Sequence, residues 1–252
     1  MKIAVITDIH GNYEAFSSVL RDIRANGADV IVSLGDNIGY GADSERVIQR
    51  VKDQKISTVL GNHEMAVLEE KAKARFRKEA QKALESAMNS LSEDSLEFIR
   101  SLGLNLSLEN CLFVHGFPPD SNRFYLHLVE DKKLLQAFCM MEESLCFVGH
   151  THQLCLVYIE QGRVVRKILK PGRKRLERGR KYMVNAGSVG QPRDGSGRAT
   201  YVLWNTERYE LEVRSLAYDA AGAARKIRAA GIPEIYARIL TKNSDPGAAG
   251  PV

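Results

Sequence analysis

The chain has 252 residues, 44% of them hydrophobic and 27% charged, with a net charge of +5. That composition supports a buried core and fits one large α/β domain or two small ones. No apolar run approaches the ~20 residues of a membrane span, and Ile3 to Ile6 is too short for a signal-peptide core, so a cytoplasmic protein with no membrane partner is expected.

The first 64 residues alternate strand and helix. KIAVIT reads as a first buried strand. Asn12 can cap a helix that carries Ala15, Phe16, Val19, Leu20 and Ile23 on one face, with Gly27 placed to end it. DVIVSL is a second strand, Ser44 to Lys52 a second helix and ISTVL a third strand. This rhythm predicts a largely parallel sheet that presents its site at the carboxyl ends of the strands.

From Met65 to about Leu102 the pattern becomes polar, Ala-rich helix, with Ser92 as a second cap. Residues 65–102 are therefore expected to form a helical cap beside the active edge. CLFVHG and SLCFVGH read as two more buried strands, separated by a helix from Glu130 to Met140. The last third is strand-rich (LCLVYIE, RVVRKIL, KYMVNAG, ATYVLW, YELEVRSL), and turns such as Gln161-Gly162 suggest a second, mostly antiparallel sheet. A helix over 220–240, broken at Gly231-Ile232-Pro233, and a disordered tail over 241–252 complete the reading. With no repeat and no linker, residues 1–252 read as one domain.

Two other features yield little chemistry. The cysteines Cys111, Cys139, Cys146 and Cys155 form no CxxC pair, so they read as reduced and partly buried. Between Arg163 and Lys181 stand ten Arg or Lys and one Glu. A nucleic-acid groove is one reading, but no aromatics interleave the charges before Tyr182. A hairpin with a solvated basic face is preferred.

Five of the six histidines stand at or just after predicted strand ends: His10 in TDIHG, His63 in GNHE, His115 in VHG, and His150 with His152 in GHTH. Asp8 and Asp36 share that placement. Asp8-x-His10 alone is a weak signal, and Asn62 alone is an Asx-turn or a cap. His150-x-His152 is stronger, because i and i+2 side chains of an extended segment share a face. Together these strand ends converge on one edge. His127 lies outside every motif and reads as a surface or packing residue.

DxH, GD, GNHE, H and GHxH, in that order, resemble the calcineurin-like metallophosphoesterases, and the resemblance covers nearly the whole chain. It extends to GDNIGYG, VHGFPPD and NAGSVGQPRDG, and is closest to the small bacterial and archaeal phosphodiesterase-like members. It implies an α/β fold of two facing mixed sheets flanked by helices, and a phosphoesterase acting on diesters or small phosphate esters. By the same resemblance Asp8, His10 and His152 hold one metal, Asn62, His115 and His150 a second, and Asp36 bridges both. His63 becomes a general acid or charge stabiliser over the phosphate. Imidazole and carboxylate suit Mn, Fe, Co, Ni and Zn with little power to choose between them; Mn is the expected ion, with Fe, Zn, Ni and Co as alternatives. Two such ions ~3.5–4 Å apart can share a hydroxide for in-line attack.

The departures matter as well. Serine/threonine protein phosphatases read GDxxDRG after the bridging Asp and place Arg before GNHE. Here Gly39 and Tyr40 fill the first positions and Leu60 the last. The loss of the arginine clamp, and of the Asp partner of the catalytic His, counts against a protein-phosphatase or dinucleotide-polyphosphatase assignment. Arg193, with Tyr40, is the candidate substrate contact, unless Arg193 is a turn residue satisfied by Asp194. Gly187, Gly190 and Gly195 are expected to serve tight turns. Three alternatives stand beside the diesterase: a phosphoprotein or nucleotide phosphomonoesterase, a DNA-directed nuclease using the basic segment, and a non-catalytic scaffold like the small retromer subunit. The complete ligand set with His63 argues against the scaffold. The substrate and the oligomeric state stay open at this level.

Overall fold

The computed structural model describes residues 1–242. Of the tail expected to be disordered, Thr241 closes the last helix, and residues 243–252 lie outside the described residues.

The first strand, β1 (Lys2–Ile6), pairs in parallel with β2 (Val30–Ser33), which pairs with the short β3 (Ser57–Thr58). On its other side β1 pairs antiparallel with β11 (Ala199–Asn205), followed by β12 (Glu210–Leu216) and β9 (Gly172–Arg175). The second six-stranded sheet runs β4 (Asn105–Leu108), β5 (Cys111–Val114), β6 (Leu145–Val148), β10 (Tyr182–Asn185), β7 (Cys155–Glu160) and β8 (Arg163–Ile168). Its centre, β5-β6-β10, is parallel and its flanks are antiparallel, so both sheets are mixed.

Period-two alternation puts the sheets face to face. Ile3 and Val5 point inward with Val32, Leu34 and Trp204, against Phe113, Phe147 and Val184 of the second sheet. Ala4 and Ile6, one residue out of phase, face helix α1 (Tyr13–Ala25) and helix α2 (Ser44–Asp53) through Phe16, Val19, Val47 and Val51. On the far side, Leu134 and Phe138 of α7 (Asp131–Met140) cover Val114, Cys146 and Met183. Strands buried on both faces read as continuous apolar runs, which is why β1, β5 and β6 stand out in the sequence. Each such Val, Ile or Phe contributes roughly 1.5–3 kcal/mol on burial.

Helix α1 has the expected cap and face. Asn12 Oδ1 accepts the Ala15 N–H at 3.1 Å, and Ala15, Phe16, Val19, Leu20 and Ile23 are all buried. The cap region is more broken than its composition suggests. It comprises α3 (Asn62–Leu68), α4 (Glu70–Lys73), α5 (Lys78–Ser90) and α6 (Glu93–Arg100), with Ser92 Oγ accepting the Ser95 N–H. Helix α8 (Ala220–Ala229) and helix α9 (Glu234–Thr241), broken where expected, pack on Ala83 of α5.

Several expectations need correction. The strand-rich last third does not form its own sheet: β7, β8 and β10 join the second sheet, while β9, β11 and β12 complete the first. The basic segment is not one hairpin, because β8 and β9 edge different sheets. The third strand is cut to two residues because the Leu60 N–H turns away to the Gly103 carbonyl at 2.7 Å. Edge strands β4 and β9 escape sequence reading. Gly172–Arg175 is wholly exposed, so only backbone pairing defines it.

Asp22 ties α1 to the first sheet. Its carboxylate accepts from Tyr201 Oη at 2.7 Å and from Arg214 Nε and Nη2 at 2.9 and 2.8 Å. Burial alone would raise this carboxyl, but Arg214 and Tyr201 outweigh it and hold it below its ordinary range. A depressed folded pKa gives stability that is complete above the unfolded value of ~3.9 and is lost as pH falls through the folded one. Asp22→Asn should therefore cost about 1–3 kcal/mol at pH 7. Urea titrations should show that gap closing below about pH 4; a gap unchanged in strong acid would mean that packing, not ionisation, makes the tie.

Candidate metal centre and cleft

Chain topology delivers the candidate residues to one edge. Asp8 and His10 follow β1, Asp36 follows β2, Asn62 and His63 open α3 after β3, His115 follows β5, and His150 and His152 follow β6. Each lies just past the carboxyl end of a strand in a parallel run, where such sheets place their sites. All eight are at least nine-tenths buried.

Two groups form around Asp36. In one, Asp8 Oδ1 lies 3.2 Å from His152 Nε2 and 3.6 Å from His10 Nε2, which are 3.1 Å from each other. In the other, His115 Nε2 lies 3.3 Å from Asp36 Oδ2, 2.9 Å from Asn62 Oδ1 and 3.1 Å from His150 Nδ1. Asp36 Oδ2 is also 3.9 Å from His10 Nε2 and 3.9 Å from His63 Nε2. His63 is thus within ligand distance of His10 and Asp36, although the resemblance assigns it no metal.

The outer nitrogens of four imidazoles decide what the inner ones can do. His10 Nδ1 faces the Ile38 carbonyl at 3.2 Å, His115 Nδ1 that of Leu34 at 2.8 Å, His152 Nδ1 that of Gln191 at 2.6 Å and His150 Nε2 that of Arg123 at 3.1 Å. A carbonyl only accepts, so each of these nitrogens carries the proton. In a neutral ring the inner nitrogen then offers a lone pair, and the lone pairs meet in twos at 3.1 Å. Two acceptors at that distance repel unless a cation lies between them. Asp8 Oδ1, buried without any hydrogen bond, points the same way. These donors fit divalent metal ions, with carbonyl partners of the kind that orient metal-bound histidines.

Protonation states agree with that use at His150, His152 and both carboxyls, but not at His115. Burial, the largest influence, pushes His63 and His152 down and His150 to about 3. Burial would raise Asp8 and Asp36, but the surrounding imidazoles outweigh it and keep both carboxyls low. His115 runs the other way: the Asp36 charge overcomes burial and lifts it to about 9.

The backbone is strained where it presents these groups. Asp8, His10, Asp36, His150 and His152 all have φ between +49° and +66°. Such a conformation costs roughly 1–3 kcal/mol for a non-glycine residue, unless its surroundings over-determine it. The segment NAGSVGQ supplies part of that support. Val189 and Gly190 donate N–H groups to the Thr7 and Asp8 carbonyls at 2.9 Å, and Ser188 Oγ donates to the Asp8 carbonyl at 2.9 Å. Gly190 serves close approach rather than a turn: a Cβ there would lie 1.7 Å from the Ile9 carbonyl oxygen.

Residues beyond the sequence candidates matter too. Glu64 accepts the Asp36 and Asn37 N–H groups at 2.9 and 2.7 Å, fixing the loop that carries Asp36. Burial first, and the Asp36 charge second, push its carboxyl up to about 7. Its place in GNHE was the available signal. Tyr125 stacks on His150 at 4.0 Å, with no motif to announce it. His127 is exposed, 5.6 Å from Tyr125 and outside the centre.

The centre opens into a cleft of about 820 Å³. Tyr40 lines it, tilted against His10 at 4.4 Å and stacked on Tyr236 at 4.4 Å. Arg193 lines it as well and donates to Gln191 Oε1 at 3.3 Å; Asp194, the partner considered above, instead accepts from Ser196. His63 Nδ1 is buried without a partner. At Gly39, where a phosphatase has Asp, a Cβ would lie 2.2 Å from that nitrogen, at a φ of +126°.

The profile of the calcineurin-like phosphoesterase superfamily domain matches residues 1–209. The chain belongs to that superfamily. A protein of Methanocaldococcus jannaschii, itself uncharacterised, is 34% identical over 239 residues, covering 92% of this chain and 94% of its own. Among solved structures, a metallophosphoesterase from Sphaerobacter thermophilus superposes with a TM-score of 0.83 at 28% identity, over 96% of this chain and 99% of that one. A hypothetical protein from Pyrococcus horikoshii shares the fold, with a TM-score of 0.76 at 18% identity over 95% and 97% of the two chains. The protein is accordingly a metal-dependent phosphoesterase, a hydrolase of phosphate esters. No helix among the described residues is long and apolar enough to cross a membrane.

The Glu64 contacts give a direct test. Glu64→Ala leaves two buried N–H groups unpaired and should cost at least about 2 kcal/mol in denaturant titrations, with weakened Mn²⁺ binding. Glu64→Gln keeps one acceptor oxygen and should lose less on both counts. Equal losses would show that charge, not the two bonds, is what the loop requires.

Proposed function

We propose that the chain is a two-metal phosphoesterase that hydrolyses phosphodiesters or small phosphate esters. In this reading Asp8, His10 and His152 hold one ion, Asn62, His115 and His150 hold the other, and Asp36 is shared. The observation that carries it is the set of four imidazoles whose outer nitrogens bond backbone carbonyls while their inner nitrogens meet in twos, 3.1 Å apart. When bound, two such ions acidify a water and neutralise phosphate charge. Imidazole, carboxylate and amide oxygen accept manganese, iron, zinc, nickel or cobalt with little power to choose, so availability sets the ion, and manganese is the one we propose.

The chain's own groups supply the rest. Its ring buried in the cleft wall, His63 turns Nε2 towards the centre and is placed to donate a proton to the leaving oxygen, or to stabilise charge there. The Asp36 carboxylate is fixed by the His63 N–H, which donates to its Oδ1 at 2.9 Å. Asp8 is held in the same way by the His150 N–H and Thr7 Oγ1, at 3.0 and 2.7 Å on Oδ2. Tyr40 and Arg193 border the space where the ester would lie. We read residues 1–252 as one domain with 65–102 as its cap, on the ground that cap residues Met65, Ala72 and Phe76 line the same cleft as the centre.

Mn²⁺-supplemented hydrolysis of bis-p-nitrophenyl phosphate tests this reading. Asp36→Asn should abolish turnover and weaken binding of both metals, because one carboxylate is shared. His63→Ala should keep its metal content, measured by elemental analysis, and lose roughly 10²–10⁴ in rate. A fully active Asp36→Asn, or a metal-free His63→Ala, would sink these assignments.

A further inference from the structure

The cleft is much larger than the phosphoryl group it would cleave. Its inner end is formed by Asp36, Asn62, His63, His150 and His152; most of the remainder comes from four separate segments. Arg75, Phe76 and Arg77 come from the break between α4 and α5, Arg123 and Tyr125 from the loop after β5, Arg193 from the loop after β10, and Ile235, Tyr236 and Ile239 from α9. About 820 Å³ is the size of a site for a whole organic molecule rather than one anion.

Charge sharpens the picture. Arg75, Arg77, Arg123 and Arg193 are exposed, and none forms an ion pair among the described residues. Some arginines elsewhere are matched, as Arg166 is to Asp131, Arg173 to Glu212, Arg214 to Asp22 and Arg228 to Glu234, so what distinguishes the former four is that they share one cleft. Among the described residues, only Glu79 besides Asp36 brings a carboxylate to the cleft. Four unmatched guanidinium groups around one opening favour phosphate oxygens, which their planar forks match with two bonds. They stand in segments unrelated to the two positions where protein phosphatases carry their clamp. The same cleft is lined by ring and apolar surface (Phe76, Tyr125, Tyr236, Ile235), and the ring faces of Tyr125 and Tyr236 not stacked on His150 and Tyr40 are of the kind that receives a planar base. No residue of the basic segment 163–181 lines the cleft, so its charge does not extend the site along a polymer.

We propose that the outer cleft recognises a nucleotide carrying at least one phosphoryl group beyond the one cleaved. The arginines hold the additional phosphate, and the aromatic wall holds the base. The proposal rests on the phosphoesterase reading of the inner end, and its test separates the two.

The test compares kcat/KM with Mn²⁺ on ATP, AMP, a single-stranded oligonucleotide and bis-p-nitrophenyl phosphate, for wild type and for Arg75→Ala/Arg77→Ala/Arg123→Ala. Wild type should prefer ATP over AMP and over the artificial diester by at least tenfold. The triple variant should lose at least tenfold more on ATP than on the diester, chiefly through KM. Fluorescence titration with methylanthraniloyl-ADP in EDTA reads the same grip without turnover, and the variant should bind at least tenfold more weakly. Equal losses on ATP and diester, a preference for the oligonucleotide, or equal binding by both proteins would overturn the proposal. Absence of hydrolysis on every ester would instead defeat the phosphoesterase reading, leaving the titration to decide the binding site.

Discussion

Everything at the active edge depends on where four imidazole protons go. Once the carbonyls of Leu34, Ile38, Arg123 and Gln191 have taken one N–H each, the other nitrogens of His115, His10, His150 and His152 are turned inward and brought together in pairs, where a bound cation would displace any proton that His115 still holds there. That arrangement is costly for a protein alone and favourable for one that binds cations. The surrounding structure exists to hold it: carbonyls from the strand-end loops, the Glu64 carboxylate beneath Asp36, and the NAGSVGQ segment beneath Asp8.

The strain follows from the same demand. A strand that simply continued would carry its side chains away from the neighbouring strand ends. Left-handed turns at Asp8, His10, Asp36, His150 and His152 bring them back over the sheet edge. At roughly 1–3 kcal/mol apiece, these turns persist because packed layers on both sides leave the chain little alternative. The inter-sheet core around Phe113, Phe147 and Trp204 anchors the strands that deliver the centre.

The outer cleft is built from different parts. The metal-ligand candidates come from strand ends, whereas the outer cleft comes from the cap, the loop after β5 and helix α9. Tyr40 connects the two regions, touching His10 and His63 on one side and Tyr236 on the other. Cap and loops can thus change without disturbing the edge itself.

Local chemistry is what the sequence by itself determined. Continuous apolar runs marked β1, β5 and β6, the Asn12 cap and its periodic face marked α1, and short motifs at strand ends picked out the eight residues that meet at the edge. Those signals are legible because they depend on a residue and its near neighbours. Tertiary structure decided the rest. β9 has no apolar residue, so only its partner makes it a strand, and the last third divides between two sheets because pairing partners lie far away in the chain. Glu64 and Tyr125 gain their roles from groups brought beside them by folding. The arginines of the outer cleft look like ordinary surface charges until four segments close around one space. No local pattern can encode that, because it arises from the convergence of distant parts.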